Sequence, residues 1–369
     1  MAIDFEKEGL LDGLDDRERA ARRRLLEELS AEGVSLEELR QAVAEDRLAL
    51  LPVERVLAGE GRRYTAAEVA ERAGLPIEFL LRQRQALGLP IPDPRERAFT
   101  EEDVESAKRT KAFRDAGLPE DGMLEVSRVV GMAMGQIAAA NRDLIGDAFL
   151  EPGDTELDVG LRYAEAARSL APMLGATLQY VLNLHLREQI RREVIGRAEL
   201  AEGRLPGATD VAICFADLVG FTRLGEQVPT EELGGVTRRL SQLAGEAADP
   251  PVRLVKLIGD AAMLVSPETD PLLDAGLSLV ESAEAEGEGF PLLRAGMARG
   301  RALPRAGDWY GRPVNVASRI TSVAYPASVL CAAEVRDSAG PGYRWSAAGA
   351  RRLKGIREPV RLYRARRGE

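Results

Sequence analysis

The sequence predicts an α+β protein in which an all-helical N-terminal region precedes a ferredoxin-like unit. Three observations carry that expectation. Alternating β-branched residues are largely missing before residue 210, while helix-start patterns recur there. A Gly/Pro-containing stretch, 201–208 (AEGRLPGA), interrupts the pattern and marks the best boundary, dividing the chain into 1–199 and 200–369. Beyond it, apolar runs and amphipathic stretches follow in the order strand, helix, strand, strand, helix, strand.

The helical region follows from local chemistry. Ser35-Leu36-Glu37-Glu38 and Thr65-Ala66-Ala67-Glu68 fit the capping box, in which a hydroxyl and a carboxylate satisfy the open N–H groups of a first turn. Thr100-Glu101-Glu102-Asp103 is a similar start with a shorter acid. Two apolar segments, 123–140 and 163–186, carry small residues and Met at helical spacing. Residues 169–186 run for eighteen positions without a formal charge, the lower length limit of a membrane span. Pro172, Thr177, Gln179, Asn183 and His185 reduce its hydropathy, so it reads as a buried helix rather than a membrane span, with His185 a hydrogen-bonded core residue. A charged stretch, 187–199 (REQIRREVIGRAE), closes the region.

In the second region, 210–216 (DVAICFA) and 252–258 (VRLVKLI) read as strands with a helix over 230–248 between them. A short strand, 261–266, stands directly behind Gly259-Asp260. A helix near 270–287, a strand near 291–300, a helix from Asn315 and a strand near 328–333 complete the order.

Composition narrows the chemistry. The chain of 369 residues is 45% hydrophobic, enough for sizeable cores, and carries a net charge of −10. That balance argues against a chain-wide polyanion-binding role. Cys214 and Cys331 cannot build a disulfide framework and point to a reducing, cytoplasmic compartment. The start, MAIDFEKEGL, contains no apolar leader. One histidine excludes a multi-histidine metal site, so metal chemistry here must rest on carboxylates.

Three clusters can do such chemistry. In Phe215-Ala216-Asp217-Leu218-Val219-Gly220-Phe221-Thr222 an apolar strand ends on an aspartate and a tight turn follows. Amides in such a turn point at an anion, and the aspartate can hold a cation that the anion shares. Lys256-Leu257-Ile258-Gly259-Asp260 repeats the strand–aspartate pattern. If the two strands are neighbours, Asp217 and Asp260 lie close together and favour a divalent cation such as magnesium. Lys256, four residues before Asp260, is expected on the same side of an extended segment. The third cluster runs from Asp308 to Arg319. Asn315 and Arg319, four apart, share one face of a predicted helix, a neutral amide beside a fixed cation that suits a sugar-phosphate. Residues 351–367 add a basic tail, with eight cationic side chains against Glu358.

On these residues, 208–365 resembles the catalytic domain of the class III nucleotidyl cyclases. The matching motifs are FADLVGFT, KLIGD and D-x6-N-x3-R, supported by LKGI. The resemblance implies that Asp217 and Asp260 bind two magnesium or manganese ions, with the Leu218 carbonyl as a further ligand. It implies that Lys256 and Asp308 read the purine, that Asn315 orients the ribose and that Arg319 stabilises the transition state. Lys354 and the amides of Leu218, Val219, Gly220, Phe221 and Thr222 would contact the β- and γ-phosphates. It also implies a head-to-tail homodimer, one copy supplying the aspartates and the other Lys256, Asp308, Asn315 and Arg319. The reaction would be attack of the ATP 3′-hydroxyl on its own α-phosphorus, releasing pyrophosphate. Adenine offers an N6 donor to Asp308 and an N1 acceptor to Lys256; guanine offers the reverse, so ATP is expected over GTP.

The N-terminal region allows a second reading. Residues 64–109 resemble the helix-turn-helix module of MerR-type regulators, which would make the protein a cyclase-derived DNA-binding regulator. Seven basic against nine acidic side chains over that stretch argue against nucleic acid as a partner. The expected role of 1–199 is instead to control how two catalytic regions meet, with 187–199 as the transmitting helix. Segments 123–140 and 163–186 could also enclose an apolar ligand such as a fatty acid.

Overall fold

A computed structural model describes residues 3–59, 61–192, 207–287 and 289–368. The chain divides into two compact units, Met1–Glu193 and Val194–Glu369. The expected boundary at 199/200, the stretch 201–206 and positions 193–199 of the transmitting segment lie outside the described residues.

Among its described residues the first unit is built mainly of helices. It contains α1 (Asp16–Ala31), α2 (Leu36–Ala44), α3 (Leu51–Ala58), α4 (Ala66–Ala73), α5 (Ile77–Ala86), α6 (Glu101–Asp115), α7 (Glu120–Phe149) and α8 (Glu156–Arg192). The cap patterns do what their spacing predicts. Thr65 and Glu68 form a reciprocal capping box at α4, and Thr100 and Asp103 form another at α6. At α2, Ser35 accepts from the Glu38 amide at 3.2 Å. Helix α4 stops at Gly74, whose φ of +67° is the left-handed conformation glycine adopts without cost. Leu11, Leu25, Leu26, Leu29 and Leu39 fill one core, and Tyr64, Val69, Phe79, Phe99 and Val104 a second. Arg22 grips Glu156 through two hydrogen bonds of 2.6 and 2.7 Å, tying α1 to the start of α8.

Within 64–109, α4 and α5 follow one another and a Tyr64–Phe99 bridge joins the chain before α4 to the chain after α5. The second of these helices is packed by α7. A Cβ on Gly131 of α7 would lie 2.4 Å from the Leu87 carbonyl, so only glycine permits this crossing. Arg82, exposed on α5, stands 3.7 Å from Asp121 in the first turn of α7.

Two expectations fail here. Residues 169–186 lie in α8 but are not buried within the chain: Met173 is 65% exposed, and Leu182, Leu184 and Leu186 are exposed as well. His185 is exposed and not a core residue. Helix α7 likewise exposes Val126, Met132 and Leu144. No helix among the described residues is long and apolar enough to cross a membrane.

Among its described residues the second unit is an eight-stranded sheet with helices on both faces. Its elements are β1 (Thr209–Leu218), α9 (Phe221–Leu224), α10 (Thr230–Ala247), β2 (Arg253–Ile258), β3 (Ala261–Ser266), α11 (Thr269–Ala285), β4 (Leu293–Arg305), β5 (Asp308–Tyr310), α12 (Arg312–Val323), β6 (Ser328–Ala332), α13 (Ala333–Ser338), β7 (Tyr343–Arg351) and β8 (Val360–Arg367). The strand order is β2-β3-β1-β4-β6-β8-β7, with β5 on β4. All pairings are antiparallel except β4–β6, which α12 connects as a crossover. The expected strand–helix order is present, and the stretch taken for a basic tail proves to be the β7–β8 hairpin.

Alternation along β1 divides the core. Ala212, Cys214, Ala216 and Leu218 join the cluster that includes Leu240 of α10 and Leu272 of α11. Val211 and Ile213 join Met263, Val265, Val316 and Ile320 on the α12 face. Asp217, odd in this alternation, therefore emerges on the α12 face at the end of the strand.

Candidate active site

The sheet brings Asp217 and Asp260 together. Gly259 and Asp260 form the two-residue β2–β3 turn, closed by the Ile258–Ala261 pair, with glycine first and at φ +60° as a tight hairpin requires. Strand β3 lies beside β1, with Ala261 opposite Asp217. The Leu218 amide donates to the Asp260 carbonyl at 3.0 Å. Burial and the neighbouring charge of Asp217 push the Asp260 carboxyl above its ordinary range, against a lowering backbone hydrogen bond and Arg294. A partly buried carboxylate with a second one beside it forms a natural cation site. No group of three or more His, Cys, Asp or Glu converges among the described residues. The donor set thus fits magnesium, which keeps waters and shares substrate phosphates, better than a cation needing a full protein cage.

Arg294 was missed in the sequence. It sits on β4 directly opposite Asp217. Its Nε and Nη2 reach one Asp217 oxygen at 3.0 and 2.6 Å, and its Nη1 reaches the Ser322 carbonyl at 3.3 Å. The signal was cross-strand register, which one sequence does not supply.

A second cluster forms at the edge of the sheet. Lys256 of β2 makes an ion pair with Asp308, the first residue of β5. The strand-face reasoning for Lys256 does not hold, because Asp260 is in a turn and β2 carries a bulge between Leu254 and Lys256. Asn315 and Arg319 both face outward from α12, on one side as their spacing required, and neither is held by an ion pair among the described residues. Lys354 is exposed in the β7–β8 connection beside the buried Leu353.

The turn after β1 needs one correction. The Leu218 amide is committed to Asp260, and the Val219 amide donates to the Leu292 carbonyl at 2.8 Å. Neither can meet an anion. Gly220, at φ +76°, then turns the chain into α9, where the amides of Gly220, Phe221 and Thr222 are outside the strand ladder.

Comparison with known proteins agrees with this geometry. Residues 3–190 match the family model described as adenylate cyclase regulatory domain, and 205–365 match the adenylate and guanylate cyclase catalytic domain. A "pH-sensitive adenylate cyclase" of Mycobacterium tuberculosis is 42% identical over 100% of this chain and 93% of its own. An uncharacterised protein of the same organism is 31% identical over 98% of this chain and 94% of its own. An adenylate cyclase of Streptomyces coelicolor is 33% identical over 78% of this chain and 74% of its own. With both halves matched and the two aspartate motifs folded side by side, the chain belongs to the adenylate cyclase family, a regulatory domain followed by a class III cyclase catalytic domain.

Proposed function

We propose that the protein converts ATP to 3′,5′-cyclic AMP and pyrophosphate at sites shared between two copies. The observation that carries this reading is the sorting of the motif residues into two clusters, Asp217 with Asp260 and Lys256 with Asp308.

Each residue's part follows from its chemistry. Lys256 donates to adenine N1 and Asp308 accepts from the N6 amino group; guanine presents a donor where Lys256 donates and an acceptor where Asp308 accepts, a mismatch at both positions. The Asn315 carboxamide orients the ribose. Arg319 presents several fixed donors to charge growing on the α-phosphate, a contact whose loss costs on the order of 100–1000-fold in rate. Lys354 and the Gly220, Phe221 and Thr222 amides hold the β- and γ-phosphates. Magnesium or manganese bound by Asp217 and Asp260, with the Leu218 carbonyl, would lower the pKa of the attacking hydroxyl and neutralise the triphosphate. Arg294 neutralises Asp217 before a metal is held there.

A homodimer explains the exposed apolar residues of α7 and α8, which a second copy would cover. Residues 1–199 then regulate by setting how the catalytic units meet, and 187–199 transmit the change. Deleting 1–199 should alter specific activity at matched dimer concentration. A fatty acid is the alternative cover for those faces, and native mass spectrometry of the purified protein distinguishes the two.

The direct test is incubation of the pure chain with ATP or GTP and magnesium or manganese, with product identification. Cyclic AMP formed in preference to cyclic GMP, and lost in Arg319→Ala, supports the reading. Pyrophosphate release without a cyclic product would sink it.

A further inference from the structure

Lys256 and Asp308 come from different elements, and neither is aimed by its own strand alone. In an uninterrupted strand, side chains three apart point to opposite faces. Arg253 and Lys256 are three apart on β2, yet Arg253 stands opposite Val265 and Lys256 opposite Met263. Val265 and Met263 both belong to the core on the α12 face. The two cationic side chains therefore share that face. The cause is the bulge, which leaves Val255 with no partner in β3. An inserted residue of this kind re-aims the side chain that follows it.

Asp308 is aimed from the other side. It follows the two-residue turn Ala306-Gly307, whose φ angles of +52° and +80° close the Arg305–Asp308 pair. Its Oδ1 accepts from the Trp309 amide at 2.8 Å, while its Oδ2 meets Lys256. A carboxylate pinned at one oxygen presents the other in a fixed direction. The Trp309 ring packs half-buried against the α12-side core. The Arg253 guanidinium lies 5.9 Å from its centroid, within range of a cation–π contact. Strand β2 and the β4–β5 hairpin are thus joined by two rungs, Arg253–Trp309 and Lys256–Asp308.

We propose that Arg253 and Trp309 are positioning residues for purine selection: their stack fixes the separation of β2 from the β5 hairpin, and so the span across which Lys256 and Asp308 meet a base. This rests on the reading that those two residues contact the purine. Arg253 and Trp309 touch no substrate and act through the pair. Without the stack the hairpin tilts, and the mismatch that rejects guanine weakens.

The experiment measures kcat/KM for ATP and GTP with the intact chain. Trp309→Ala and Arg253→Gln are expected to narrow the ATP-to-GTP ratio by about tenfold or more, with the loss for ATP falling mainly on KM. Trp309→Phe, which keeps a ring under the guanidinium, should retain most of the ratio. If turnover of both nucleotides falls together and the ratio is unchanged, the proposal is overturned. Arg253 is exposed, so its variant reports even if Trp309→Ala fails to fold. Lys256→Ala and Asp308→Ala in the same assay separate the two layers. A ratio that survives those changes refutes the base-reading assignment itself. A ratio they collapse but Arg253→Gln leaves intact refutes the positioning role alone.

Discussion

Replacing Gly296 with alanine tests how α12, which carries Asn315 and Arg319, is seated on the sheet. Gly296 lies on β4, paired with Phe215 on one side and Leu330 on the other. A Cβ there would stand 2.2 Å from the Thr321 backbone nitrogen, 2.5 Å from Thr321 Oγ1 and 2.7 Å from the Ala317 carbonyl. Side-chain Cβ atoms do not approach other heavy atoms within 3.0 Å, so α12 must retreat by at least 0.8 Å at Thr321. Two of the three obstacles are backbone, and no rotamer relieves them. The third, Thr321 Oγ1, is itself held by the Phe215 and Ala317 carbonyls at 3.2 and 2.9 Å. Overpacking of this kind costs about 1–3 kcal/mol, or more where backbone must move. For a unit of this size each kcal/mol lowers Tm by about 2–4 °C, so a fall of roughly 2–12 °C is expected. A displacement near 1 Å of a residue acting on the reacting phosphate costs on the order of 100-fold in turnover. Scanning calorimetry and cyclase assays on the intact chain read both effects. Gly235→Ala is the control: that glycine lies inside α10 with open space around it, and alanine there should stabilise by about 0.5–1 kcal/mol. If Gly296→Ala melts and turns over like the parent, α12 is not seated as described.

Three further outcomes follow from the same geometry. Asp217→Asn and Asp260→Asn should each remove at least about 100-fold in turnover, because a Lewis acid supplies several kcal/mol; excess chelator should do the same to the parent, and activity surviving chelation would count against carboxylate-held metal. Burial pushes the Cys214 thiol up to about 12 and raises Cys331 as well, so a thiol reagent at pH 8 should label neither cysteine until the catalytic unit is denatured, and rapid native labelling would contradict their placement. In the helical unit, the Thr155 hydroxyl and amide hold the Asp158 carboxyl below its usual range, and the Thr65 amide does the same for Glu68. Depressed values contribute stability that is complete above the unfolded carboxylate pKa of about 4 and is lost as pH falls through the folded value. The Tm of that unit should therefore be level down to about pH 5 and decline below about pH 4; a decline beginning above pH 6 would need another titrating group.

How far the sequence could be read depended on the range of the interactions involved. The boxes at Thr65 and Thr100 were legible because donor and acceptor are three residues apart. Strands β1, β2 and β3 were legible because their apolar runs are bounded by turn residues. Strands β7 and β8 were not, because arginines fall on both faces of β8: Val360 and Leu362 reach one core and Ala365 the other, with Arg361, Arg364 and Arg366 interspersed, so no period-2 apolar pattern shows. The pairing of Asp217 with Arg294 depends on register between strands some 77 positions apart, and the aim of Lys256 depends on a bulge. Neither leaves a local trace. The reading of 169–186 as buried failed for a different reason. Its apolar character is genuine, but among the described residues nothing covers it.

That last failure bears on the catalytic unit too. Asp217, Asp260 and Arg294 form one group, and Lys256 and Asp308 another, with no hydrogen bond or ion pair between the groups among the described residues. If one copy built a whole site, each inactive variant would stay inactive whatever it was mixed with. If two copies share two sites head to tail, Asp217→Asn and Arg319→Ala chains complement each other. A mixed dimer then holds one site with both lesions and one with neither. Random association makes about half of all dimers mixed, each with half its sites intact, so the mixture should recover about one quarter of the parent activity. The measurement is cyclase activity after the two variants are unfolded together and refolded, against each refolded alone. Recovery near one quarter requires the shared arrangement, since no single-copy site can be repaired by a partner that lacks a different residue. A mixture no more active than its components would place every catalytic group within one chain.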